Sequence, residues 1–134
     1  MPDIEDNIRL LLVDDEIGYL EVLSKRFRKR NIDVTTASTG QQAIQLLRRN
    51  DFDVAVVDLK MTDMDGIEVL KVFKKMDPEL AIIILTGHGS EQAAREGIEQ
   101  GAFDYLTKPC DLQSLLDVIN AAYSQKRSPE RSDA

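Results

Sequence analysis

Five short runs of apolar, largely β-branched residues punctuate the chain, at residues 8–13, 33–37, 54–57, 81–85 and 103–106. They are nearly continuous rather than alternating, which predicts strands buried on both faces, as in a parallel sheet. Between them the apolar positions recur every three or four residues, the spacing of one helix face. Ile17, Leu20, Leu23 and Phe27 form the first stripe, and Ala43, Ile44 and Leu47 the second. Ile67, Leu70, Phe73 and Met76 form the third, closed at Asp77-Pro78, where proline stops a helix. Ala93, Ala94 and Ile98 give a short fourth helix, weakened by Gly97 inside it. Leu112, Leu115, Leu116, Ile119 and Tyr123 mark the fifth, with Asp111 where an N-cap is wanted.

Strand followed by helix, five times over, predicts an α/β fold. Its five-stranded parallel sheet is doubly wound as (βα)5, with right-handed crossovers and helices on both faces. The expected organisation is an N-terminal extension over 1–7, one domain over 8–125 and a flexible tail over 126–134, where periodic apolar positions cease.

Composition narrows the function class. The 134 residues are 43% hydrophobic and 31% charged, the balance of a globular domain, and no apolar run reaches the roughly 18 residues of a membrane span. The acidic start lacks the basic-then-apolar pattern of a secretory signal. The single cysteine, Cys110, fits a reducing cytoplasm and reads as a small, partly buried apolar residue. A net charge of −7 argues against direct nucleic-acid binding. Lys25, Arg26, Arg28, Lys29 and Arg30 form a basic cluster, which suits a solvated helix C-terminus.

The chemistry lies at the carboxyl ends of the strands. Asp14-Asp15-Glu16 comes after the first, Asp58 ends the third, Thr86-Gly87 follows the fourth and Lys108-Pro109 the fifth. Parallel strands put all these ends on one rim, where α/β sheets bind their ligands. Gathering three carboxylates there is costly. At about 4 Å, two unit charges repel by about 1 kcal/mol in water and about 4 kcal/mol at a protein surface. A cation is the natural remedy. The donors are hard oxygens without a histidine or thiolate set, so Mg2+ is the expected ion. An ammonium from Lys108 would complement phosphoryl oxygens beside it. Singly, each residue has a plainer reading: Asp14 or Asp15 as an N-cap, Asp58 as a turn residue, Thr86 as a strand-end hydroxyl, Tyr105 as packing, His88 as a solvated loop residue.

At this point the chain resembles a known family. Val13-Asp14-Asp15, the segment from Val57-Asp58-Leu59-Lys60-Met61 through Met64-Asp65-Gly66, Leu85-Thr86-Gly87 and Thr107-Lys108-Pro109 are similar to the motifs of response regulator receiver domains of bacterial two-component systems. The resemblance covers about residues 8–125. It implies the flavodoxin-like strand order 2-1-3-4-5 and roles residue by residue. Asp58 would be the phosphoacceptor. Asp15, Asp58 and the backbone carbonyl of Lys60 would bind Mg2+, with Asp14 holding a metal-bound water. Lys108 would pair with phosphoryl oxygens. Thr86 would swing onto one of them and Tyr105 turn inward, while Lys60 and His88 would tune the lifetime of the phosphate. The Lys108-Pro109 bond would be cis. Thr62 stands where the family commonly has proline.

The implied activity is Mg-dependent self-phosphorylation with slow autodephosphorylation, not turnover. The donor would be a sensor histidine kinase or a histidine phosphotransfer protein, docking near Ile17 and Leu20. A downstream protein or output domain would be switched through the fourth helix, fifth strand and fifth helix, with a phosphorylation-dependent homodimer as one outcome. The chain reads as a stand-alone receiver, the alternative being a receiver cut from a multidomain transcriptional regulator. Two other classes fit less well. An aspartyl-phosphate phosphatase needs its nucleophile after the first strand with another Asp two residues on, which Asp14-Asp15-Glu16-Ile17 lacks. A flavodoxin-like cofactor binder needs a Gly/Ser/Thr-rich loop there, not three acids.

Overall fold

The computed structural model describes residues 7–61, 63–87 and 91–127. The elements alternate without exception: β1 (Arg9–Val13), α1 (Ile17–Arg28), β2 (Asp33–Ala37), α2 (Gly40–Arg49), β3 (Val54–Asp58), α3 (Gly66–Met76), β4 (Ala81–Thr86), α4 (Glu91–Glu99), β5 (Asp104–Thr107) and α5 (Leu112–Arg127). The strands are all parallel, in the order β2-β1-β3-β4-β5. Thr62 and His88 fall outside the described residues.

The continuous apolar strands serve two cores, one on each face of the sheet. Leu11, Val13, Ala55, Val57, Ile82 and Ile84 point to a core shared with α2, α3 and α4. Their neighbours Leu10, Leu12, Val54, Val56, Ile83 and Leu85 point to a core shared with α1 and α5. The strand period of two thus delivers every second residue to the same layer. Phe73 and Phe27, both fully buried, anchor α3 and α1 against their respective faces.

Helix ends follow local chemistry. Thr39 accepts a hydrogen bond from the Gln42 amide and Asp65 one from the Ile67 amide, capping α2 and α3. Asp111 does the same for Ser114, as its position in the sequence suggests. Asn31, with φ of 63°, turns the chain out of α1. The Lys108-Pro109 peptide is cis.

Three stripe positions depart from expectation. Ile17 is 60% exposed, because α1 begins at the rim, where its first turn has passed the end of the sheet. Met76 and Ile98 sit at or near the last residues of their helices and are also exposed. Gly97 does not weaken α4 in the way its propensity suggests. It is buried, and a Cβ there would come within 2.2 Å of Ile84 Cδ1. Glycine lets α4 lie close on β4.

Candidate functional site

The strand register brings the polar residues to one rim. Val13 pairs with Val57, Asp58 with Leu85 and Thr86 with Thr107, so the residues after β1 and β5 project beside the ends of β3 and β4. Asp14 is fully buried and does not cap α1; the N-cap residue is Glu16, without a side-chain bond. The Asp14 Oδ1 accepts from the Glu16 amide at 2.9 Å, and its Oδ2 accepts from Lys108 Nζ at 2.7 Å. That same ammonium lies 3.6 Å from Asp58 Oδ2 and 3.3 Å from Glu16 Oε1. A single cation therefore ties the ends of β1, β3 and β5 together.

Asp58 is 6% exposed. Its Oδ1 accepts from the Lys60 amide at 3.2 Å. Burial, then the neighbouring Asp14 charge, push its carboxyl up to about 6, against the opposing pull of Lys108 and the Lys60 amide. Lys108 is held the other way. Burial alone would lower its ammonium, but the Asp14 hydrogen bond and the charges of Asp58 and Asp14 raise it above the ordinary lysine value. The pair is thus a carboxyl that keeps its proton unusually well beside a cation that stays charged.

The donor set fits a hard divalent ion. Oxygens of Asp14, Asp15 and Asp58 lie within 4.8 Å of one another. Oxygens facing each other across an octahedral Mg2+ are about 4.2 Å apart, so this spacing suits one such ion. Asp15, half-buried, is the carboxylate of the three with the most open face. The Lys60 side chain is exposed.

Around this centre the loop after β3 is fixed by glycine and by a distant cap. A Cβ on Gly66 would sit 2.6 Å from Leu59 Cα and 2.8 Å from the Asp58 carbonyl oxygen, so only glycine passes there. Asp63 accepts from the Gly40 amide at 2.9 Å and the Gln41 amide at 3.0 Å, mooring the loop to the start of α2. Thr86 is buried at the end of β4, its Oγ1 3.4 Å from the Gly87 carbonyl. Tyr105 is half-buried against the α4-side core and pairs with Ile84, which makes it the diagonal neighbour of Thr86 on one face.

Asp14, Asp15, Asp58 and Lys108 meet at this rim with Thr86 at the end of β4, whereas Tyr105 lies in the α4-side core beside Thr86, and Lys60 reaches Asp58 through its backbone amide, its side chain being exposed. Sequence reasoning placed Glu16 at the rim without giving it a role, and missed Tyr19 and Asp63. Tyr19 lies one helical turn beyond Asp15, a spacing that could have placed it over the rim. Asp63 gave no local signal, since its partners are 22 and 23 residues away.

Fold and rim together define the class: the chain belongs to the response regulator receiver domain family, which it matches over residues 10–120. It is 36% identical over 92% of its length to the transcriptional regulatory protein ZraR of Escherichia coli strain K12, of which it spans 28%. Among solved structures it is similar to a response regulator receiver domain protein from Clostridium thermocellum. That likeness has a TM-score of 0.86 and 34% identity, over 90% of this chain and 97% of the other. The beryllofluoride-activated NtrC4 receiver domain dimer is another likeness, with a TM-score of 0.83 and 32% identity over 88% and 98%.

Proposed function

We propose that this domain is a phosphoryl-operated switch in which Asp58 receives the group from a phosphohistidine of a sensor kinase or histidine phosphotransfer protein. The observation that carries the reading is the single ammonium of Lys108 between Asp14 at 2.7 Å and Asp58 at 3.6 Å, at the rim where the strands end. An Asp58 oxygen forms the new O–P bond as the donor's N–P bond breaks, and the imidazole nitrogen keeps the electron pair. Such transfer needs positioning and charge neutralisation more than covalent assistance. Asp15, Asp58 and the Lys60 carbonyl would hold Mg2+, with Asp14 on a coordinated water; the ion would neutralise the phosphoryl oxygens. Lys108 leaves the Asp14–Asp58 bridge to pair with one of those oxygens. The Thr86 hydroxyl turns to another, and Tyr105 follows into the space it leaves.

The domain itself turns nothing over beyond taking up and slowly losing this group, with Lys60 and His88 setting the lifetime. It acts in the cytoplasm through protein contacts. The face of α4, β5 and α5 carries the signal to an output domain, a separate protein or a second copy. The dimeric state of the activated NtrC4 receiver supports the last of these.

The test is intact-mass measurement after incubation with Mg2+ and a small phosphodonor. One phosphoryl group is expected on the wild type and none on Asp58→Asn. An unchanged wild-type mass, or equal uptake by the variant, overturns the reading. A second reading, that the receiver belongs to a longer transcriptional regulator, is favoured by its spanning only 28% of ZraR. An immunoblot of the native host decides: a band near 15.1 kDa supports a stand-alone receiver, and one several times larger supports the longer chain.

A further inference from the structure

The Lys108 ammonium has carboxylates on one side and an aromatic face on the other. Its Nζ stands 4.7 Å from the centroid of the Tyr19 ring, inside the range of about 6 Å over which a cation is drawn to a ring face. Tyr19 is itself braced. It is half-buried and packs against the α1–α5 core, as does Cys110, two residues past Lys108 across the cis Pro109. These residues and Glu16 wall a pocket of about 330 Å³.

We infer that Tyr19 is a positioning residue for Lys108, its ring serving as a fixed wall that keeps the flexible ammonium over Asp58 before and after phosphoryl arrival. The inference rests on the proposed function and deepens it. A lysine side chain has a flexible four-carbon stem and gives up much rotamer freedom when it is held in one place. Asp14 holds Lys108 in the unmodified state, but that bond must loosen when the ammonium moves toward a phosphoryl oxygen. The ring face imposes no fixed direction on the cation, so its attraction persists while Lys108 shifts. Carboxylate partners alone would let the ammonium swing toward Glu16, whose side chain is 68% exposed, and out into solvent.

A plain packing role, or a contact for the donor protein, would place Tyr19 on the same helix. Fluorine separates these readings, because it drains the ring face of charge with little change in shape. Position 19 is replaced by Phe, 4-fluoro-Phe and 3,4,5-trifluoro-Phe, and by Leu. Each protein is phosphorylated with acetyl phosphate and Mg2+, a donor too small to dock on α1. Tyr19→Phe is expected to keep the wild-type rate within about twofold. The rate should fall stepwise with fluorination, and Tyr19→Leu should be slowed about three- to tenfold, the range of a partly exposed cation–π contact. In the wild type the Lys108 Nζ protons should carry a ring-current shift that Tyr19→Leu abolishes.

A flat fluorination series in proteins with wild-type melting overturns the inference. So does slowing seen only with a phosphohistidine protein as donor, which makes the ring a docking contact. If Tyr19→Leu fails to fold, the fluorinated series still decides. Failure of the wild type to take up any phosphoryl group removes the proposed function instead, an outcome the same assay shows first.

Discussion

Asp58 is a costly place for a bare negative charge. Its carboxyl is raised from 3.8 to about 6 by burial and by Asp14, so the folded protein binds this proton more tightly than the unfolded chain does. The sign comes from linkage: the stabilisation is complete below the unfolded value near pH 4 and is lost as pH rises through about 6. Allowing for solvent screening in the open cleft, the loss is on the order of 1–2 kcal/mol. Metal-free protein should therefore melt lower at pH 7.5 than expected from its other groups, and Asp58→Asn should melt higher than wild type there. The gap should close at pH 4.5. Thermal melts in chelator at the two pH values check this, and a variant that is less stable at pH 7.5 contradicts it. Glu16 and Tyr19, which both touch Lys108, show the limit of reading residues singly. Glu16 stands in the acidic run without a role of its own and Tyr19 lies outside the acid–hydroxyl–lysine set, and each matters only through the Lys108 ammonium it faces.

The elements themselves were largely legible, because two-sided burial writes a run of β-branched residues into each strand and a stripe into each helix. The strand runs agree with the observed strands to within a residue at each end. What was not legible is the depth at which an element packs. Gly97 has the sequence signature of a weak point, yet it is where α4 meets Ile84. Gly18, in the first turn of α1, has nothing within 4 Å of its missing Cβ. The two glycines should respond oppositely to alanine. Gly18→Ala should stabilise by about 0.5–1 kcal/mol, the ordinary helix gain. Gly97→Ala gains the same propensity but forces the buried Ile84 aside, at about 1–3 kcal/mol, and should come out destabilised. Urea midpoints of the two variants against wild type measure both. Ile17 failed for a related reason: its periodicity was right, but the sheet ends before it.

On the scale of the whole molecule, the carboxylate rim makes stability a readout of metal. An ion that binds only the folded state at a hundred times its dissociation constant adds about 2.7 kcal/mol. Millimolar Mg2+ should raise the melting temperature at pH 7.5 and erase the pH effect at Asp58, and Asp15→Asn should blunt both. A melting curve indifferent to millimolar Mg2+ in the wild type would count against the metal reading. No described helix is long and apolar enough to cross a membrane. The opposite pole of the sheet has its own fastening: Arg9 grips the carboxylate of Asp53 through backbone and guanidinium at 2.9–3.2 Å, joining β1 to the start of β3 away from the chemistry.

The sheet separates two cores that never mix, and the proposed switch inherits that division. Tyr19 and α1 belong to one layer, together with α5, whereas Tyr105 packs in the layer of α4. Sites that share no neighbours change stability independently. If α1 receives the donor as the resemblance implies, a lineage, or an engineer, could retune who writes the signal by altering α1 while leaving α4 untouched, provided α5, which shares the α1 layer, is held fixed.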